Sequence, residues 1–413
     1  MTLTPYLELP ARPNTTAPID ARLNEILNGQ LKWLTLSYAV PSNLTTSNEV
    51  NIRGAAMAAY ALAVTTQLQV WDPTLSGVPN YTTAVNKATG IINGISAGHV
   101  STTAGGWGHE FESALWAGIC AVAGWLLAGY LSAAQTETLL TMVESEADWR
   151  LTQTPRFEYA PDGTDLTPGD TGAEENMWNA YLPAVASVLM PTHPHAEQWL
   201  ADAVLFWASS YTHRDDLTSG ATVNGLALDT LGGYNIAADY TVANHNIAPD
   251  PDYMSCISLA GSAAVAFGLA GKAVPAAAFW NFPQVYAALS TPLPAFSGQT
   301  IYLPGQPQPS INYPGGNDWG TRRPSHYAHL DQIAAVYSQD GLSERPAGYW
   351  ERVHLYDLWG MQHRFTDGHL YLNPTEDKYG AREQLAAYHV ATGWAARWCG
   401  WWGRNRITDD PLV

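Results

Sequence analysis

Cysteine is scarce in this 413-residue chain. The 3 present, Cys120, Cys256 and Cys399, are too few and of the wrong parity for a disulfide framework, and no C-x-x-C or Cys/His spacing suggests structural zinc. The fold must hold by packing alone. Basic residues are also few, 19 against 37 acidic ones, and a net charge of −18 repels phosphate backbones and anionic lipid headgroups. No nucleic acid and no membrane are therefore expected as partners. Only 14% of residues are charged against 46% hydrophobic, the balance of a large, well-buried globular protein. Met1 to Asp20 lacks a basic start followed by an apolar core, so no signal peptide is visible and a soluble protein is expected, cytoplasmic or exported by another route. Familiar catalytic signatures are absent too: no Walker A loop, no G-x-S-x-G and no H-E-x-x-H, because Phe111, Glu112 and Ser113 follow His109 and Glu110. No complete metal-ligand set is visible, so no cofactor and no metal are expected. Loops would have to bring His109, His245, His326 and Asp318 together to make one.

One long apolar run is present. Ser113 to Thr136 holds 24 residues without a charge, enough to span a bilayer. Its flanks are Glu110, Glu112, Glu137 and Glu144 rather than the lysines and arginines that fix a membrane orientation, so it reads as a buried helix.

Helical periodicity recurs along the chain near 20–40, 46–69, 82–96, 109–131, 133–150, 172–190, 194–212, 252–271, 273–290, 324–339, 345–364 and 377–399. Thr171-x-x-Glu174 reads as a capping box, and Arg323-Pro324 and Asn373-Pro374 place proline at a first helical position. Strand-like alternation is rare and falls mostly in the Pro/Gly-rich stretch 291–322. Long and short connections alternate, and the even-numbered helices are richer in small and apolar residues than the odd ones. That pattern predicts an all-α fold, an (α/α)6 toroid of six helical hairpins filling residues 1–413 as one domain, with even helices inside and long loops at one end. Such loops on a rigid scaffold are where binding groups gather.

Polar clusters fall at the predicted starts of the inner helices. They are Gly105 to Glu110 with Trp107 and His109, Gly169 to Asn179 with Glu175 and Asn176, Asn244-His245 leading to Tyr253, Asn317 to Tyr327 with Asp318, Trp319, Arg322, Arg323 and His326, and Tyr379 with Arg382 and Glu383. Five segments meeting at one rim describe a substrate cleft. The chain's 17 tryptophans and 21 tyrosines add stacking surfaces of the kind sugar rings use, although most aromatics in a chain of this size are core.

A Trp-Gly segment ahead of an alanine-rich helix, the E-N-x-x-N start at Glu175 to Asn179, Asn244-His245 before Tyr253, and the later Arg323/His326 helix together resemble the (α/α)6 toroids of heparinase II/III-like and alginate-lyase-like polysaccharide lyases. The resemblance covers about residues 100 to 340. It implies β-elimination on a uronate-containing oligo- or polysaccharide. Asn176 or Asn179 would neutralise the carboxylate, His245 and Tyr253 would act as base and acid, and Arg322, Arg323 or His326 would contact the carboxylate. The chain departs from that family in having no length for an appended β-sandwich and in its acidity. Paired carboxylates drawn from Asp170, Glu174, Glu175, Asp252 and Asp318 would equally serve an (α/α)6 glycoside hydrolase, which the net charge favours. A third class is a toroidal isomerase or dehydratase of small alcohols using Cys256. His245 and Tyr253 are eight residues apart and meet only if 246–252 curls back, which Pro249 and Pro251 permit.

Overall fold

Small and apolar residues are concentrated in alternate helices, and those helices end up innermost. The computed structural model describes residues 3–7, 10–13, 17–305 and 309–410. Along them run α1 (Pro18–Leu36), α2 (Glu49–Gln67), α3 (Pro73–Ser76), α4 (Tyr81–Ala97), α5 (Ser113–Leu126), α6 (Ala133–Arg150), α7 (Ala173–Leu189), α8 (Ala196–Ser210), α9 (Pro251–Ser255), α10 (Leu259–Ala270), α11 (Phe282–Ala288), α12 (Pro324–Val336), α13 (Ala347–Gln362) and α14 (Arg382–Trp401). A 3-10 turn, Cys256–Ser258, joins α9 to α10 into one continuous rod.

The starts follow local chemistry. Asn48 accepts from the Asn51 N–H to cap α2, Ser132 and Gln135 form a capping box on α6, and Pro324 opens α12. Helices α2, α5, α7, the α9–α10 rod, α12 and α14 pack each against the next, the rod meeting α12 through α9 and the turn Cys256–Ser258, and α14 closes the ring on α2. Every residue of α5 is buried, whereas α6 buries one face, with Leu139, Leu140, Met142 and Val143 inward. Helices α1, α4, α6, α8 and α13 form the outer layer, which the 3-10 turn Ala276–Phe279 against α8 continues. This is the (α/α)6 toroid that the loop alternation predicts. Small residues let the inner helices approach. A Cβ on Gly393 of α14 would sit 1.2 Å from Gln332 Oε1 of α12, and one on Gly261 of α10 would sit 2.2 Å from Ile333 Cδ1 of α12.

The rod 251–270 is long and apolar enough to cross a membrane, and 83% of its most apolar window is buried inside the ring. Of the charge-free run from Ser113, the part that forms α5 lies wholly inside, while the rest leaves the core through a 3-10 turn, Ala128–Tyr130, into the exposed start of α6.

Several expectations are corrected. The segment 273–290 is not one helix. Val274–Pro275 forms a short strand, β3, paired in parallel with Ile407–Thr408 (β4), then Ala276–Phe279 makes a 3-10 turn and Asn281, at φ 57°, breaks the path before α11. Among the described residues of 291–322 there are only isolated bridges, Leu293 with Gln299 and Tyr302 with Ile311. The antiparallel pair, β1 (Thr222–Val223) with β2 (Leu226–Ala227), sits instead around Asn224-Gly225, both at positive φ as a tight hairpin requires. Thr171 and Glu174 do not form a capping box. Thr171 Oγ1 donates to the Asn235 carbonyl, while Glu174 takes the Asn244 amide. Pro374 starts no helix, since Asn373 makes a turn onto Thr375 and α14 begins at Arg382. Helix α5 starts at Ser113 rather than near 109, because Gly108, His109 and Glu112 all have positive φ.

Candidate active site

All six inner helices point their starts at one pocket of about 530 Å³, open to solvent. Glu49 and Arg53 come from α2, Glu112 precedes α5, Trp178 comes from α7, Asp252, Tyr253 and Cys256 from the α9 rod, Arg323 and His326 from the start of α12, and Tyr379 and Leu385 from either side of the start of α14. Trp319 closes the wall from the loop before α12. The convergent helix starts place their positive dipole ends there, an attractive field in an otherwise acidic molecule.

Chemistry concentrates on His245. Asn244 and Ile247 exchange backbone hydrogen bonds of 3.0 and 2.8 Å around His245 and Asn246, which lie at φ 51° and 64°. This left-handed turn supplies the curl that the spacing demands, and it brings the His245 ring to 5.4 Å from that of Tyr253. Tyr253 Oη lies 3.4 Å from His245 Nε2, His245 Nδ1 lies 2.5 Å from Asp318 Oδ2, and Trp319 Nε1–H donates to Tyr253 Oη at 3.3 Å. Asp250 holds the tyrosine in place by accepting from the N–H groups of Asp252 and Tyr253, and Tyr211 Oη–H donates to the Tyr253 carbonyl at 2.6 Å. Burial pushes the Tyr253 phenol well above its ordinary range, so it stays protonated.

Below this chain lie two arginines. Arg323 is buried between Asp252 Oδ2 at 2.6 Å and Asp377 Oδ2 at 3.1 Å, and Tyr327 Oη–H donates to the same Asp252 at 2.8 Å. Arg53 Nη1 donates to Glu49 at 3.0 Å and Glu112 at 3.1 Å, with Tyr379 and Trp178 flanking its guanidinium, and its buried Nε has no partner among the described residues. Burial raises the Glu112 carboxyl to about 7 in spite of Arg53 beside it. His326 is held well below its usual range by burial and by the Arg323 charge, so it is neutral.

The sequence-derived residues divide. Tyr253, Trp319, Arg323 and His326 line the pocket, and His245 with Asp318 joins it through Tyr253 and Trp319. Asn176 does not serve it. It is fully buried, accepts from the Arg156 N–H at 3.0 Å and donates to the carbonyls of Arg156 and Ser209, so its amide is committed to the backbone. Glu175 and Asp170 are both paired with Arg156, Asn244 donates to Glu174 at 2.8 Å, and Asn179, half-buried on α7, lines no part of the pocket. Arg322 turns away to Asp357 at 3.2 Å and Glu376 at 3.3 Å. Trp107 is a core residue whose Nε1–H donates to the Ile95 carbonyl at 2.9 Å. His109 joins neither His245 nor His326 but lies beside His99 and Glu146. Arg53 and Glu112 went unremarked as site residues. The signal was there for Arg53, a lone cation inside the apolar run from Asn51 to Val64, where burial demands a partner.

No family model matches the chain, and no curated protein matches it. Among solved structures it is similar to the GH76A alpha-1,6-mannanase of Salegentibacter sp. HEL1_6, at 11% identity over 90% of this chain and 98% of that one, with a TM-score of 0.41. It is also similar to an inactive variant of that alpha-1,6-mannanase in complex with alpha-1,6-mannotriose, at 12% identity over 90% and 99% of the two chains, with a TM-score of 0.39. Both are named as mannanases, not polysaccharide lyases, and likeness this distant leaves function to the geometry of the pocket.

Proposed function

We propose that the chain is a carbohydrate-active enzyme that cleaves a uronate-containing glycan by β-elimination in this pocket. The observation that carries the reading is the hydrogen-bonded chain Asp318–His245–Tyr253 standing over buried Arg323. Asp318 orients the imidazole through Nδ1 and leaves Nε2, beside the pocket-lining Tyr253, as the base that removes the proton α to the carboxylate. Tyr253, kept protonated by burial, is the acid for the departing glycosidic oxygen. Charge developing on the carboxylate meets the Arg323 guanidinium and the converging helix starts, replacing the amide that Asn176 cannot offer. Trp178 and Trp319 give the sugar faces a surface to stack on.

A second reading is hydrolysis, and one observation favours it. Glu49 and Glu112 bind the same Arg53 nitrogen, so their nearest oxygens are no more than about 6 Å apart, and the Glu112 carboxyl at about 7 is suited to a general acid. Incubation with a panel of uronate-containing and neutral glycans separates the two. Elimination leaves a conjugated double bond that absorbs in the ultraviolet, whereas hydrolysis releases reducing ends without it. Reducing ends from a neutral glycan with no new absorbance on any uronate polymer would overturn the elimination reading.

A further inference from the structure

Away from the pocket, the loop 98–112 is held by a cluster that neither reading uses. His99 and Glu146 are both fully buried, the first just after α4 and the second on α6. His99 Nε2 lies 2.9 Å from Glu146 Oε2, and the same oxygen accepts the His109 backbone N–H at 2.9 Å. His109 takes the left-handed conformation, φ 56°, which is costly for a residue with a Cβ. That conformation, with its ring stacked at 10° on Trp149, brings His109 Nε2 to 4.0 Å from the Glu146 carboxylate. The two imidazole nitrogens and the carboxylate oxygen all lie within 4.8 Å of one another. Gly108 passes so close that a Cβ there would sit 2.2 Å from His99 Nε2, so the backbone itself walls the cluster.

Hydrogen bonding ties His99 to Glu146, while the His109 ring, partly exposed, rests its Nε2 3.2 Å from the Ser145 carbonyl and 3.0 Å from the Ser145 hydroxyl at the surface. Two imidazoles and one carboxylate make the donor set that borderline divalent ions take, and ligands about 2.0–2.2 Å from a shared ion lie roughly 3–4 Å apart. The surroundings supply the second set of contacts such ligands need. His99 Nδ1 has the Ser101 Oγ at 2.8 Å and accepts the Ser101 N–H at 3.2 Å, Ser113 hydrogen-bonds the other Glu146 oxygen, and the exposed edge of His109 leaves an entry path and a position for water.

We infer that His99, His109 and Glu146 bind one divalent transition-metal ion, zinc by the nature of the donors, which ties α4, α6 and the loop into α5 together. Its place is structural. Ser113, bonded to Glu146, begins α5, and the residue before it is Glu112 of the pocket, so the ion fixes the loop on which that carboxyl stands.

The test uses the full chain purified without a histidine tag and reads metal content and melting temperature, neither of which depends on which glycan is cleaved or how. The expected result is about one zinc per chain after dialysis, its loss in His109→Ala and His109→Gln, and a melting temperature that falls with chelator and returns with added zinc in the unsubstituted protein alone. Because His109 is at the surface, both variants should keep their circular dichroism. An unsubstituted protein that neither retains zinc nor melts higher in its presence would overturn the inference. So would a folded His109→Ala chain that still holds a full equivalent.

Discussion

At the scale of single residues the pocket makes sharp demands. Replacing His245 by alanine or Tyr253 by phenylalanine should lower turnover roughly 10²–10⁴-fold, the usual worth of a positioned proton-transfer group, with substrate affinity little changed. Steady-state kinetics beside a thermal melt checks this, because Tyr253 begins a buried rod and an unfolded variant would say nothing about chemistry. A folded Tyr253→Phe protein with near-normal turnover would remove elimination. Glu112→Gln tests the other chemistry: under hydrolysis it should abolish activity and the unsubstituted rate should fall as pH rises past about 7, while under elimination Glu112→Gln should retain most of the turnover. Sequence reached His245, Tyr253, Asp318 and Arg323 because each stands in a polar cluster ahead of a helix. It misplaced Asn176, for an amide three residues from another looks the same whether it meets a ligand or, as here, ties Arg156 to Ser209. His99 and Glu146 carried no signal at all, being 47 residues apart on different elements.

At the scale of elements, helical periodicity located the helices because burial repeats every three to four residues whichever neighbour provides it, and the small, apolar composition of alternate helices separated the inner layer from the outer. What periodicity could not show is where a helix starts. The left-handed residues His109 and Glu112 delay α5, and Asn281 divides the ninth segment, effects of local backbone geometry that apolar spacing does not encode. Nor does composition reveal how near two helices come. At Gly393 the backbone of α14 meets the Gln332 amide, so Gly393→Ala must displace that side chain or part the helices. We expect it to cost about 1–3 kcal/mol by urea denaturation, with Gly261→Val against Ile333 at least as harmful. By contrast Gly90, with nothing near its Cβ position on α4, should accept alanine and gain up to about 1 kcal/mol from helix propensity.

At the scale of the whole molecule, buried acids govern the response to pH. Burial raises Glu158 and Asp202 to about 7 and Asp250 to about 8, against about 4 for such groups in an unfolded chain. Between those values the folded state holds protons that the unfolded state has released, so stability falls as pH rises from about 4 through about 8. The net charge of −18 acts in the same direction by self-repulsion. Melting temperature should therefore be higher at pH 5.5 than at pH 8.5, and the drop should shrink in Asp250→Asn; a melting temperature that climbs over that interval would contradict the burial of these acids. The closing contact of the ring, α14 on α2, has a consequence for the order in which the chain is made. A ribosome delivers α2 more than three hundred residues before the helix that covers it, and α2 is buried along nearly its whole length once covered. Throughout translation, then, the nascent protein carries an uncovered apolar flank that no earlier segment can shield, and a message broken just short of α14 yields a chain destined for chaperones and aggregation rather than a smaller working enzyme.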